Sequence, residues 1–256
     1  MTKPIVQVKS LRVSYSDRII LDNINFTVQP GEIFVVLGGS GSGKTTLLNH
    51  MIGLYDPIAG EIILDGQDIV QAEGEQRKKI LRDIGVMFQS GALFGSFTLL
   101  ENVRLPLEEL TDLPLTAVNM IALNKLKLVG LGKFAHFMPA EISGGMQKRA
   151  AIARAMALDP SILFLDEPSA GLDPITSANL DQLILRLAKS LGITFIIVTH
   201  ELPSIEAIAD RVIMLHDGKI IAEGDPKTLR DLTDNEYVRQ FFNRRAGEEA
   251  EKNEAT

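Results

Sequence analysis

Apolar and polar positions along the chain follow two rhythms. Ile33-Phe34-Val35-Val36-Leu37, Ile84-Gly85-Val86-Met87-Phe88, Ile162-Leu163-Phe164-Leu165-Asp166 and Thr194-Phe195-Ile196-Ile197-Val198-Thr199 are short apolar runs without polar alternation. Such runs predict strands covered on both faces. Residues 73–82, rich in Glu, Lys and Arg, predict an exposed helix, and 180–191 an amphipathic one. From 98 to 157 Leu, Met and Ala recur at helical spacing, as in Val118, Ile121, Ala122, Lys125 and Leu126. Pro106 and Pro114 punctuate that stretch and strand signals are absent, so it reads as a helical insertion between two strands of the main sheet. Strands alternating with helices predict an α/β fold with a mainly parallel sheet.

The ends of the chain have a different texture. Residues 5–37 read as several short strands, with apolar clusters at Val6–Val8 and Leu11–Val13. An alternating stretch over Ile19–Val28 follows, with Ile20, Asp22, Ile24 and Phe26 in phase, and Pro30-Gly31 then turns into the first buried strand. Gly60–Leu64 predicts a further strand closed by Asp65-Gly66. Val212–Leu215, the turn 216–219 and Ile220–Ala222 predict a hairpin. From Arg244 the chain turns to Ala, Glu, Lys and Asn, the composition of a disordered tail.

Bulk properties narrow the function. The 256 residues suffice for one large domain or two small ones, and 45% of them are hydrophobic. No run reaches the roughly 18–20 apolar residues of a spanning helix. The start, Met1-Thr2-Lys3-Pro4-Ile5-Val6-Gln7, lacks a secretory apolar segment, so a cytosolic location or one on a cytosolic membrane face is expected. The absence of cysteine excludes disulfides and cysteine-based zinc sites. A net charge of −7 argues against a sequence-independent nucleic-acid binder, and no nucleic-acid partner is expected.

The chemistry starts at Gly38-Gly39-Ser40-Gly41-Ser42-Gly43-Lys44-Thr45, directly after one buried strand and before the helical Thr46–Ile52. Strand, glycine loop and helix are the context that makes G-x-x-x-x-G-K-[ST] a phosphate loop. Glycines let the backbone approach a phosphate chain, whose oxygens meet converging N–H groups and the positive end of the helix. Lys44 reaches the terminal phosphates and the Thr45 hydroxyl can bind Mg2+. Asp166-Glu167 closes an apolar strand, where ligands bind in open α/β sheets. Asp166 can hold Mg2+ there, and Glu167 can polarise an attacking water. Ser143-Gly144-Gly145 opens a helix and forms a second anion site without a lysine. Gln89 and His200 each follow a buried strand and can reach Mg2+ or water and the γ-phosphate respectively.

In this order, phosphate loop, Gln89, Ser143-Gly144-Gly145, Asp166-Glu167, Ser169-Ala170-Gly171-Leu172-Asp173 and His200, the chain resembles the ATP-binding cassette (ABC) ATPases over roughly residues 5–240. The resemblance implies a P-loop NTPase with a RecA-like core, an N-terminal antiparallel β subdomain and a helical subdomain, inserted here at about 98–157 of a domain spanning 1–243. It implies ATP and Mg2+ as ligands and a head-to-tail homodimer, each ATP lying between the phosphate loop of one subunit and the Ser143 helix of the other. It implies that Tyr15 stacks on adenine, that Thr46 belongs to the nucleotide site, and that Asp173 communicates across the dimer. The family's usual Leu-Ser-Gly-Gly-Gln reads Ile142-Ser143-Gly144-Gly145-Met146 here. With Phe88–Phe94 and Gly171–Thr176, that departure resembles the ATPase subunits of Mce-associated, Mla-type phospholipid transporters. They imply separate integral-membrane permease subunits, a Mce-domain lipid-binding subunit and a peripheral location on the cytoplasmic side of the inner membrane. The ATPase of another ABC importer or exporter, for amino acids, peptides or drugs, is the alternative. Ala92–Leu100 is apolar enough either to fill the subdomain interface or to floor a groove for a permease helix, with Leu99 taken as an exposed position.

Overall fold

The structure, a computed structural model, describes residues 3–16, 18–232 and 234–243. The expected disordered tail, 244–256, lies outside them. The chain runs β1 (Val6–Tyr15), β2 (Arg18–Val28), β3 (Ile33–Gly38), α1 (Lys44–Met51), β4 (Ala59–Leu64), β5 (Gln67–Asp68), α2 (Gly74–Arg82) and β6 (Ile84–Met87). Next come α3 (Leu99–Leu110), α4 (Leu115–Leu128) and α5 (Gly144–Ala155), with two short 3-10 turns before α5. The remainder is β7 (Ile162–Asp166), α6 (Pro174–Leu191), β8 (Thr194–Thr199), α7 (Leu202–Ile208), β9 (Arg211–His216), β10 (Lys219–Gly224), α8 (Pro226–Leu232) and α9 (Glu236–Asn243).

Two sheets result. One has the order β2-β1-β4-β5 and is antiparallel. The other has the order β10-β9-β3-β8-β7-β6, parallel from β9 to β6 with β10 antiparallel at its edge. The apolar runs are continuous because the parallel sheet is covered on both faces. Phe34, Val36, Ile162, Phe164, Ile196 and Val198 point into a core shared with the antiparallel sheet and α1. Their neighbours Val35, Leu37, Leu163, Leu165, Phe195 and Ile197 point into a second core lined by residues of α3 to α7.

Several sequence expectations change. The N-terminal region forms two long strands, since bulges at Ser10 (φ 46°) and Asn23 (φ 53°) carry the ladder across polar interruptions. The Asn25 side chain accepts from the Ser10 N–H at 2.7 Å and donates to the Asn23 carbonyl, which fixes the bulge. Ile24, Phe26 and Val28 are buried on one side of it, but on the other the buried residue is Leu21, out of phase with Ile20 and Asp22. Helix α6 starts six residues before Leu180, with Pro174 in its first turn and the Asp173 carboxylate accepting from the Ile175 and Thr176 N–H groups at 3.0 Å. Leu99 is not exposed: it is wholly buried in the α3 core with Val103 and Leu107. Its helix is capped by Thr98 and Glu101, and buried Asn102 binds the Phe94 and Phe97 backbone. Phe88 leaves the sheet and is exposed, because its carbonyl turns to accept from the Gly91 N–H at 2.7 Å.

Candidate nucleotide site

Four parallel strands end on one edge of the sheet. Their carboxyl ends deliver the phosphate loop after β3, Gln89 after β6, Glu167 after β7 and His200 after β8. The loop 38–43 is held tightly. Lys44 Nζ donates to the carbonyls of Gly38 at 2.8 Å and Gly39 at 2.9 Å, closing the loop over its own lysine. A Cβ at Gly38 would meet the Leu215 carbonyl at 2.4 Å. Gly43 caps α1 with φ 104°, and a side chain there would strike Leu21 at 2.7 Å. Gly43 offers no capping side chain, so the first-turn N–H groups of α1 are left for an anion. The Ser42 hydroxyl is buried without a protein partner. An orphaned donor inside a glycine cradle, at a bare helix start, fits a phosphate chain.

The acidic side is equally ordered. Glu167 is buried in the left-handed region, φ 46°, a conformation costly for a glutamate and common at functional sites. Its N–H donates to the Val198 carbonyl at 2.8 Å. Its Oε1 pairs with His200 Nδ1 at 2.7 Å, and its Oε2 accepts from the buried Thr199 hydroxyl at 3.0 Å. A carboxylate only accepts, so His200 Nδ1 carries the proton. A neutral ring then presents a lone pair at Nε2, and donation to a γ-phosphate requires the imidazolium.

Burial lowers the Lys44 ammonium below its ordinary pKa, opposed by Glu167 and Asp166. Lys148 is lowered for the same reason, opposed by the same carboxylates. Asp166 is raised, by burial first and Glu167 second, with Lys44 and Lys148 pulling it back. Two carboxylates and two lysines therefore share one partly buried cluster. Thr45, exposed at the head of α1, Asp166 and the Gln89 amide supply hard oxygen donors of the kind Mg2+ takes alongside phosphate and water. Among the described residues no group of three or more His, Cys, Asp or Glu could hold a metal.

The remaining sequence-derived residues separate in space. Ser143 caps α5 by accepting from the Met146 N–H at 3.3 Å, and a Cβ at Gly145 would strike Thr176 at 2.3 Å. Ser143 and Gly145 line a cleft of about 390 Å3 with Arg149 and Thr176, whereas Gln89 and Asp166 line another of about 590 Å3 with Ala170 and Gly171. Ser40, Gly41 and Gly144 are exposed, and Thr46 is half-buried. Tyr15 stands 47% exposed at the end of the β1–β2 hairpin, whose second strand packs Leu21 on Gly43. Sequence reasoning missed Thr199, Lys148 and Tyr237. Thr199 holds Glu167, Lys148 donates to the Gln89 carbonyl, and the Tyr237 hydroxyl lies 3.1 Å from where a Gly39 Cβ would be. Thr199 could have been found as the residue directly before His200; the other two lie far in sequence from the groups they touch.

A glycine cradle beside a carboxylate, histidine and glutamine at parallel strand ends defines a nucleotide-hydrolysing P-loop ATPase. Comparison with known proteins refines that class. The ABC transporter family profile matches residues 21–170. The chain is 42% identical over 242 residues to the intermembrane phospholipid transport system ATP-binding protein MlaF of Haemophilus influenzae, covering 94% of this chain and 91% of that one. It is 41% identical over 238 residues to MlaF of Escherichia coli K12, covering 93% and 88%. Among solved structures it matches a dimeric post-hydrolysis state of the ATP-binding cassette MJ0796 bound to ADP and Pi, with TM-score 0.78, 35% identity and 86% and 98% coverage. It also matches cbiO1 of Clostridium perfringens, with TM-score 0.81, 32% identity and 88% and 89% coverage. The chain belongs to the ABC transporter family and is an ATPase. Among the described residues no helix is long and apolar enough to cross a membrane.

Proposed function

We propose that the chain is the ATPase subunit of a phospholipid-transporting ABC system. It works as a homodimer on the cytoplasmic face of the inner membrane, with separate integral-membrane permease subunits and a Mce-domain lipid-binding subunit. The observation that carries this reading is 41–42% identity to two MlaF proteins over 93–94% of the chain. Residues 1–243 form the cassette, with 98–157 as its helical unit.

Each ATP lies between the phosphate loop of one subunit and the Ser143–Gly145 helix start of the other. Ser143 and Gly145 line a cleft separate from the one lined by Gln89 and Asp166, which supports a site completed in trans. Residues 38–46 bind the phosphates and Tyr15 stacks on the adenine. Thr45, Asp166 and Gln89 would hold Mg2+, which would neutralise phosphate charge. Glu167 takes a proton from the attacking water as the new P–O bond forms and the β–γ bridge breaks, releasing ADP. His200 orients that carboxylate and, as imidazolium, donates to the γ-phosphate.

Two measurements test the reading together. Tagged chain is purified from detergent-solubilised membranes, and co-purifying subunits and lipids are identified by mass spectrometry. Membrane subunits with bound phospholipid are expected, and Glu167→Gln should cut ATP turnover by about 10²-fold or more while retaining ATP binding. A captured permease that is free of phospholipid and stimulated by an amino acid would overturn the substrate assignment. Wild-type turnover in Glu167→Gln would remove Glu167 as the base.

A further inference from the structure

We propose that Lys148 is a positioning residue that ties helix α5 to Gln89. It makes hydrolysis at a subunit's own phosphate loop depend on what the start of its α5 is holding. The proposal rests on the dimer reading above, in which that helix start serves the partner's nucleotide.

The geometry lies on one face of α5. Lys148 Nζ donates to the Gln89 carbonyl. Arg154, six residues on, donates to the Gly91 carbonyl at 2.8 Å and the Ala92 carbonyl at 2.7 Å. Between them Ala151 packs so closely that a Cβ at Gly91 would sit 3.4 Å from its own. Positions three apart on a helix share a face, so α5 grips the whole segment 89–92 from one side. Within the gripped segment Ala92 has a positive φ of 47°, a costly conformation for alanine.

The two basic residues do different work. Arg154 fixes the far part of the segment. Lys148 holds the residue that carries the amide, and its ammonium stands in the field of Asp166 and Glu167. Gln89 is exposed, and the Lys148 tether fixes the backbone from which its amide projects. Ser143 caps the same helix five residues earlier, roughly 7.5 Å along its axis. A helix this short is stiff over one and a half turns. A shift at Ser143, when the partner's phosphates are engaged, is therefore delivered to the Gln89 carbonyl through Lys148. One helix carries a contact for each of the two ATP sites, and Lys148 is where the second contact is made.

The test uses the full chain, with Lys148→Met removing the donor, Lys148→Gln keeping a neutral donor and Lys148→Arg keeping a charged one. Steady-state ATP hydrolysis and single-subunit ATP affinity are measured on each. A kcat loss of about tenfold or more is expected for Met, with KM and affinity within about twofold, a Hill coefficient falling toward 1, and substantial rescue by Arg. A second readout needs no turnover. The chain has no tryptophan, so Phe88→Trp in a Glu167→Gln background reports the loop beside Gln89. ATP should shift its emission as the dimer forms, and adding Lys148→Met should abolish most of that shift while dimer content by light scattering is retained. Should Met destabilise the chain, Lys148→Ala, which also removes the donor, carries the same comparison. A full emission shift, or unchanged kcat and Hill coefficient, in a folded variant that lacks the donor overturns the proposal. Failure of the Glu167→Gln protein itself to dimerise with ATP overturns the dimer reading instead.

Discussion

Thr199→Val isolates one hydrogen bond in the catalytic cluster. The substitution preserves the side chain's size and branching at a buried strand-end position. It removes the donor 3.0 Å from Glu167 Oε2 and the acceptor of the Glu201 N–H at 3.1 Å. The second loss is small, since Glu201 is only partly buried and water can replace the hydroxyl. Among the described residues, the first leaves His200 as the remaining side-chain donor to the carboxylate. A hydrogen bond to a charged group contributes about 1.5–3 kcal/mol. If Glu167 must hold its orientation for water to be aligned, the whole of that energy appears in the barrier. At about 1.36 kcal/mol per tenfold, kcat should fall by roughly 10- to 150-fold. KM should hardly change, because Thr199 is not among the residues of the phosphate loop. The assay is steady-state phosphate release across ATP concentrations, beside thermal unfolding of the same preparation. Thr199→Ser, which returns the hydroxyl, should recover most of the rate. A folded Thr199→Val protein with kcat within twofold of wild type would refute the claim that Thr199 positions Glu167.

Other outcomes follow from single contacts. Ser143→Arg should leave single-subunit ATP affinity near wild type but prevent ATP-driven dimerisation in a Glu167→Gln background; undiminished dimer by size-exclusion chromatography would count against a site completed in trans. Leu99→Ala should cost about 2–5 kcal/mol in urea unfolding and Leu99→Glu should not fold, while exposed Phe94→Glu should keep its melting temperature; a well-folded Leu99→Glu would contradict the core assignment. Burial raises the Asp181 carboxyl above its ordinary pKa, with the Ser204 hydrogen bond opposing and Glu201 adding to the rise. The native state then binds its proton more tightly than the unfolded chain, so stability falls as pH rises from the unfolded value through the raised one. Asp181→Asn should therefore stabilise the protein at pH 8 and lose that advantage below the ordinary carboxylate range, a difference read from melting temperatures across pH.

The sequence alone determined the elements and motifs whose cause is local. Five consecutive apolar residues before Gly38 pointed to a strand buried on both faces, and the glycines before Lys44 to a loop that admits close approach of a phosphate. The helical character of 98–157 followed from spacing in the same way. Other features depended on partners distant in the chain. The bulge that turns the alternation of β2 over at Asn23 depends in part on a distant partner, because the Asn25 side chain that binds Asn23 is itself held by Ser10 on another strand. Leu99 looked like a surface residue among loop residues, but α3 carries it into a core built from α4 and α5. The site followed the same division. Gln89, Glu167 and His200 could each be singled out as polar residues after apolar strands. That they converge is a consequence of the order β3-β8-β7-β6, which sets their strand ends side by side. That order is chosen by packing two apolar faces at once and by crossovers through α5 and α6, neither of which leaves a periodic trace. Glu167 meets Thr199 and His200 across 32 and 33 residues, and Lys148 meets Gln89 across 59. Contacts of that range have no local cause, so only the folded chain decides them.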